Sequence, residues 1–152
     1  MNILTILRKD HAVVRSLFNK YGHTAKLSHE KKLQLFEQIR RELQIHSRAE
    51  EEIFYPAIKA LNGVESRKLA SQALKEHKDV DDLLIQISRL KPTDKSFDEN
   101  METLFENVDH HVEQEEGEIF QFVEENCSEE QLNDVGLQME ERKKALDRQL
   151  AA

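Results

Sequence analysis

His46-Ser-Arg-Ala-Glu50 and His111-Val-Glu-Gln-Glu115 each place a histidine four residues ahead of a glutamate. On an α-helix, residues i and i+4 lie on one face, a turn apart, so each stretch, if helical, aims an imidazole and a carboxylate at one target. That pairing suits a metal ion, because neutral imidazole and ionised carboxylate both ligate iron, zinc and manganese. A single such pair is commonly a solvated helix contact. Two of them, each set within an apolar stripe, require a shared explanation.

Outward from these stretches, apolar residues recur at steps of three and four, the helical period. A first helix is expected over about Asn2 to Tyr21, with Leu4, Leu7, Val14 and Phe18 in its stripe, His11 in the missing place and Gly22 as its stop. A second starts near Ser28, read as its N-cap, and carries Phe36, Ile39, Leu43, His46, Glu50, Ile53 and Ala57 on one face. Pro56 is expected to kink it and Asn62-Gly63 to end it. A third, roughly Glu65 to Leu90, has Ala70, Ala73, His77, Val80, Leu84 and Ile87 in its stripe. The fourth opens on Ser96-Phe-Asp-Glu99, which has the form of a capping box, and carries Phe97, Met101, Leu104, Val108, His111, Glu115, Ile119 and Phe122 to near Asn126. A second capping box, Ser128-Glu-Glu-Gln131, begins a fifth helix to about Gln149, with Leu132, Val135, Met139 and Leu146 on its apolar side.

The two halves repeat. Lys9–Phe18 resembles Lys75–Leu84, placing His77 66 residues after His11. The two His-x-x-x-Glu pairs are 65 apart, and Ile53-Phe54 is matched with Ile119-Phe120 at 66. Two copies of a helix pair share one core. The fold expected is all-α: an up-down-up-down four-helix bundle over residues 1–126, with residues 127–152 forming an additional C-terminal helix packed on it.

Antiparallel packing then brings His11, His46, Glu50, His77, His111 and Glu115 together inside the bundle. Buried carboxylates require a cation or hydrogen-bond partners, and no lysine or arginine falls in the stripes near them. A pair of metal ions, bridged by the two carboxylates and each taking two histidines, satisfies all six groups. A ferritin-like di-iron site is excluded, since its Glu-x-x-His spacing is absent from every histidine of the chain.

With Asp10-His11, His46-x-x-x-Glu50-Glu-x-Ile-Phe-Tyr-Pro56, Glu76-His77 and His111-x-x-x-Glu115 before Ile119-Phe120, the chain resembles the hemerythrin-like, or HHE cation-binding, family over roughly residues 1–126. The resemblance implies two iron ions in an oxo- or hydroxo-bridged non-haem centre, with zinc or manganese able to fill the same groups. It also implies a small-molecule ligand: dioxygen, nitric oxide or peroxide, bound, sensed or turned over. Two positions depart from the oxygen carriers, which have a histidine where this chain has Asp81 and a His-x-x-x-x-Asp where it has Glu115. The fewer histidines leave coordination more open, which favours reaction over reversible carriage and leaves binding, turnover and a metal-stapled regulatory role as alternatives. Iron–sulfur repair members carry an extra N-terminal cysteine segment, so that branch is not the expected one.

The remaining residues are read more plainly. Tyr21 and Tyr55 are expected at the bundle ends, Glu51, Glu52, Glu116 and Glu118 on solvated faces, His23 and His29 in the first loop, and His110 on the flank. The net charge of −8 disfavours binding to a phosphate backbone, so no nucleic-acid partner is expected. The N-terminal ten residues do not read as a secretory leader, no stretch reads as a membrane span, and the single Cys127 makes no internal disulfide, so a cytoplasmic setting is expected.

Overall fold

The computed structural model describes residues 1–23 and 28–151, and the expected loop residues 24–27 lie outside the described residues, as does the side chain of His23. Helix α1 spans Ile3–His23, α2 His29–Ala49, α3 Tyr55–Lys59, α4 Val64–Ser88, α5 Lys95–Gln114, α6 Phe120–Asn126 and α7 Glu129–Ala151. A π turn, Glu50–Phe54, joins α2 to α3, and a second, Glu115–Ile119, joins α5 to α6. Five helical rods result, with no strand among the described residues.

Local chemistry sets most of the ends. The Asn2 side chain accepts from Leu4 N–H at 2.7 Å, and Ser28 caps α2 by accepting from Lys31 N–H at 3.1 Å. The capping box of Ser128 and Gln131 forms with both reciprocal bonds, at 2.8 and 3.1 Å. Asn62 takes a positive φ of 51° and closes the second rod. Two expectations are corrected. Helix α1 continues past Gly22 to His23. The box expected at Ser96 does not form, because the N-cap of α5 is Asp94, two residues earlier, and Ser96 lies already within the helix.

The π turns correct the expected stripe. In each, the amide of the residue after the turn bonds five residues back: Tyr55 N–H to Glu50 O, and Phe120 N–H to Glu115 O. The extra residue shifts every later position by one. Beyond Glu50 the buried residues are therefore Phe54, Tyr55 and Ile58, not Ile53 and Ala57; beyond Glu115 they are Ile119, Phe120 and Val123, while Phe122 is only half-buried. The repeat consequently pairs Tyr55 with Phe120, at the same spacing of 65 as Glu50 and Glu115, rather than Phe54 with Phe120. Pro56 follows the first π turn, but the second forms with no proline, so such a turn does not require one.

The four rods pack as neighbours α1–α2, α2–α4, α4–α5 and α5–α1, and α7 lies across α1, α2 and the first π turn. A polar layer divides the core. On one side Leu4, Leu7, Phe54, Ile58, Ala70, Ala73 and Val123 pack together with Leu132, Met139 and Leu146 of α7. On the other Val14, Phe18, Phe36, Ile39, Leu84, Ile87, Phe97 and Met101 form a second cluster. Burial of each large side chain contributes about 1.5–3 kcal/mol, enough to hold the intervening polar residues in place. Helix α7 approaches the N-terminus so closely that a Cβ on Gly136 would fall 2.0 Å from the Met1 carbonyl oxygen.

Candidate metal centre

All six residues singled out in the sequence meet in that polar layer. Each is buried, and Glu50 and Glu115 have no exposure to solvent. Helix α1 supplies His11, α2 supplies His46, α4 supplies His77 and α5 supplies His111; the glutamates begin the two π turns. Their ligand atoms form two groups. One comprises His11, His46, Glu50 and Glu115, the other His77, His111, Glu50 and Glu115, with atoms in each group within 4.8 Å of one another. Both glutamates belong to both groups.

Each glutamate touches the histidine of its own helix and one from a neighbour. Oε1 of Glu50 lies 3.0 Å from His46 Nε2 and 3.2 Å from His77 Nε2. Glu115 lies 3.2 Å from His111 Nε2 and 3.3 Å from His11 Nε2. These separations match the spacing of neighbouring ligands around a cation with bonds of about 2.1 Å. Four buried atoms at the centre have no hydrogen-bond partner: Nε2 of His11 and of His46, Oε2 of Glu50 and Oε1 of Glu115. Buried polar atoms left so are costly, and a cation between them would satisfy all four.

The ring nitrogens that face away from the centre are also held, each by a carboxylate on another helix. His46 Nδ1 meets Asp10 at 2.8 Å, His111 Nδ1 meets Glu76 at 2.7 Å, His11 Nδ1 meets Glu116 at 2.7 Å and His77 Nδ1 meets Glu51 at 3.3 Å. Every brace is the chain neighbour of one central residue and clamps another across the bundle. Such partners fix the tautomer that leaves Nε2 free for a metal and orient the ring. Glu51 and Glu116 are thus not merely solvated, as the sequence reading had them. Their signal was present in the chain: both follow the central glutamates at the repeat spacing of 65, as Asp10 and Glu76 precede the lone histidines at 66. The braces are themselves supported. Lys143 of α7 pairs with Asp10, and Arg8 lies 4.0 Å from Glu116.

Tyr55 is the central residue that the sequence reading misplaced at a bundle end. Its hydroxyl donates to Glu115 Oε2 at 2.7 Å and lies 3.1 Å from His77 Nε2 and 3.3 Å from Glu50 Oε1. The π turn puts it there, because a widened turn returns the residue five after Glu50 to the same face. Its repeat mate Phe120 instead stacks on His11, with ring centroids 6.2 Å apart. Asp81 is exposed and joins neither group; burial of part of its surroundings, then Glu51, raise its pKa.

Charge is concentrated at the centre. Burial alone would lower the histidines, but Glu50 and Asp10 hold His46 well above its ordinary value. His77 is raised by Glu50 and Glu51 against burial, and His111 reaches about 10 through Glu115 and Glu76 against burial. Burial pushes Glu115 up, yet its neighbours Glu50, His11 and His111 keep it well below the usual carboxylate range. A metal therefore displaces protons from these imidazoles as it binds.

The sequence matches the Hemerythrin HHE cation binding domain over residues 2–123. The chain belongs to the hemerythrin HHE cation-binding family. Residues 2–123 of this HHE chain take in all six central residues, the four braces and Tyr55. It is similar to the crystal structure of a hemerythrin HHE cation-binding domain-containing protein from Mycobacterium kansasii, with a TM-score of 0.83 and 25% identity over 96% of this chain and 87% of that one. Among curated proteins it is 29% identical to a DNA nickase of Nostoc sp. over 99% of this chain, and 29% identical to an uncharacterized hemerythrin-like protein of Schizosaccharomyces pombe over 68% of it. The chain spans 41% of the Nostoc protein and 51% of the yeast one.

Beside the four histidines lies a cavity of about 20 Å³, walled by Val14, Leu43, Val80, Val108, Val112 and Ser47. Its size admits about one water-sized molecule.

Proposed function

We propose that the chain holds two iron ions between the two ligand groups and there binds or senses a small oxidant, namely dioxygen, nitric oxide or peroxide. The observation that carries this reading is the sharing of Glu50 and Glu115 by two four-residue groups whose inward atoms are otherwise orphaned. Zinc or manganese would fit the same donors. Bound there, iron would supply the electrons and the open coordination that such a molecule requires.

The chain's own residues supply the rest. His11 and His46 hold one side, His77 and His111 the other, and the four carboxylate braces keep the imidazoles turned inward. The valine-lined cavity beside the histidines keeps bulk water from the centre and matches a diatomic or similarly small reactant. Turnover of peroxide, oxygen or nitric oxide is the second reading, and Tyr55 favours it: a hydroxyl 2.7 Å from Glu115 is placed to hold or deliver a proton at the centre.

None of the helices, among the described residues, is long and apolar enough to cross a membrane. We infer a cytoplasmic chain and, on its net charge of −8, one without a nucleic-acid partner. The activity in the Nostoc relative's name is accordingly not carried over from a protein of which this chain spans 41%.

Metal analysis after anaerobic ferrous loading, followed by stopped-flow spectroscopy with each oxidant, tests the reading. About two irons per chain and a spectral change on mixing are expected. A stable reversible adduct supports binding, and repeated consumption of peroxide supports turnover. A chain that stays iron-free and spectrally silent sinks the proposal.

A further inference from the structure

The two faces of the bundle that flank the histidine cavity are built differently. Ser47 on α2 lines both that cavity and a surface groove of about 630 Å³ formed by α2, α4 and the end of α7. On α4, Val80 lines the cavity while its neighbour Asp81 lines the groove.

The repeat shows what closes the opposite face. It pairs Ser47 with Val112, Asp81 with Arg15, Gln44 with Asp109, Leu84 with Phe18 and Arg40 with Phe105. Between α1 and α5, Arg15 donates to Asp109 at 3.1 Å, and Phe18 meets Phe105 edge to face with centroids 5.2 Å apart. Val112, which lines the cavity from α5, is buried. Between α2 and α4 the matching positions hold Asp81 and Gln44, both exposed, with no aromatic pair among the described residues. One face is thus sealed by an ion pair and two rings, while the other is a groove with a small hydroxyl side chain at its floor.

We propose that Ser47 is the gate through which a small neutral or singly charged molecule passes from the groove into the histidine cavity. The proposal rests on the reading that this cavity receives the reactant of the metal centre. The serine side chain is short enough to swing aside, and its hydroxyl can replace one hydrogen bond that the entering molecule loses on leaving water. A cavity of about 20 Å³, room for about one water-sized molecule, sets the size limit at a diatomic or a similarly small molecule.

A gate alters the barrier and not the end states, so it changes association and dissociation together and leaves Kd unchanged. The test is azide binding to the iron-loaded chain, followed by stopped flow. Gln44→Trp fills the groove outside the cavity, and Ser47→Leu narrows the gate itself. Both are expected to slow association and dissociation about ten-fold or more, with Kd of Gln44→Trp within about two-fold of wild type. Asp109→Ala, on the sealed face, is expected to slow neither rate. Unchanged rates in Gln44→Trp and Ser47→Leu, or an effect confined to dissociation, overturn the proposal. Xenon-pressurised crystals of the metal-free chain provide a second readout. Brief exposure is expected to fill the cavity in wild type and leave it empty in Gln44→Trp. If wild type gives no azide spectrum, the metal-centre reading fails by itself; equal xenon occupancy in the two proteins overturns the gate.

Discussion

Removing the carboxylate that braces His111 is expected to weaken metal binding by an amount that the geometry ranks in advance. Glu76 Oε1 lies 2.7 Å from His111 Nδ1, its side chain is 14% exposed, and His111 together with Gln72 and His110 holds it below the usual carboxylate range against burial. A charge-assisted hydrogen bond in so sheltered a place contributes about 1.5–3 kcal/mol. Glu76→Ala is therefore expected to cost about 10–100-fold in metal affinity. Glu51 makes the corresponding brace to His77 at 3.3 Å with a side chain that is 37% exposed. The longer distance and solvent screening reduce its contribution to about 0–1 kcal/mol, so Glu51→Ala is expected to stay within about five-fold of wild type. Glu76→Gln should fall between wild type and Glu76→Ala, because its amide oxygen accepts the same ring N–H. The assay is competition for zinc between the metal-free chain and a chromophoric chelator at fixed pH, with circular dichroism to confirm that each variant is helical. Equal losses in Glu76→Ala and Glu51→Ala, or wild-type affinity in Glu76→Ala, would refute the bracing argument.

Glu115→Ala or His46→Ala is expected to abolish binding of at least one metal ion per chain while far-ultraviolet circular dichroism changes little, since the two apolar clusters on either side remain; metal content after dialysis is the measurement. The metal-free chain is expected to lose stability as pH rises from about 6.5 toward 10: His46, His77 and His111 have folded-state values above the unfolded one, so their contribution is full below the unfolded value and disappears as pH passes the folded values, about 10 for His111. Thermal melts across that range test it, and a flat profile contradicts the charge arrangement. By the same linkage, metal affinity is expected to rise with pH over this window, with proton release seen by calorimetry in buffers of different ionisation enthalpy. Gly136→Ala is expected to destabilise the fold by about 1–3 kcal/mol in urea unfolding, because the new methyl group meets the Met1 backbone rather than a movable side chain.

The amino-acid sequence alone determined the helices and the six central residues. The apolar period ran along each rod as far as the π turns, and polar groups standing in a buried stripe had to be met by a partner; the repeat then chose His111 over His110, and the structure leaves His110 3.9 Å from Glu76 on the flank. Side chains within one helix can be placed by period, which is why His46 and Glu50 were legible as a pair. Tertiary structure decided the rest. A π turn adds a residue that no α-helical period contains, so the stripe beyond Glu50 slipped by one and Tyr55 entered the centre unannounced. The bracing carboxylates act across helices, and which rods are neighbours is a property of the packed bundle. The contrast between the sealed face at Arg15–Asp109 and the groove at Ser47 is likewise settled by packing, for residues matched in the repeat meet different neighbours there once α7 has docked on one side only.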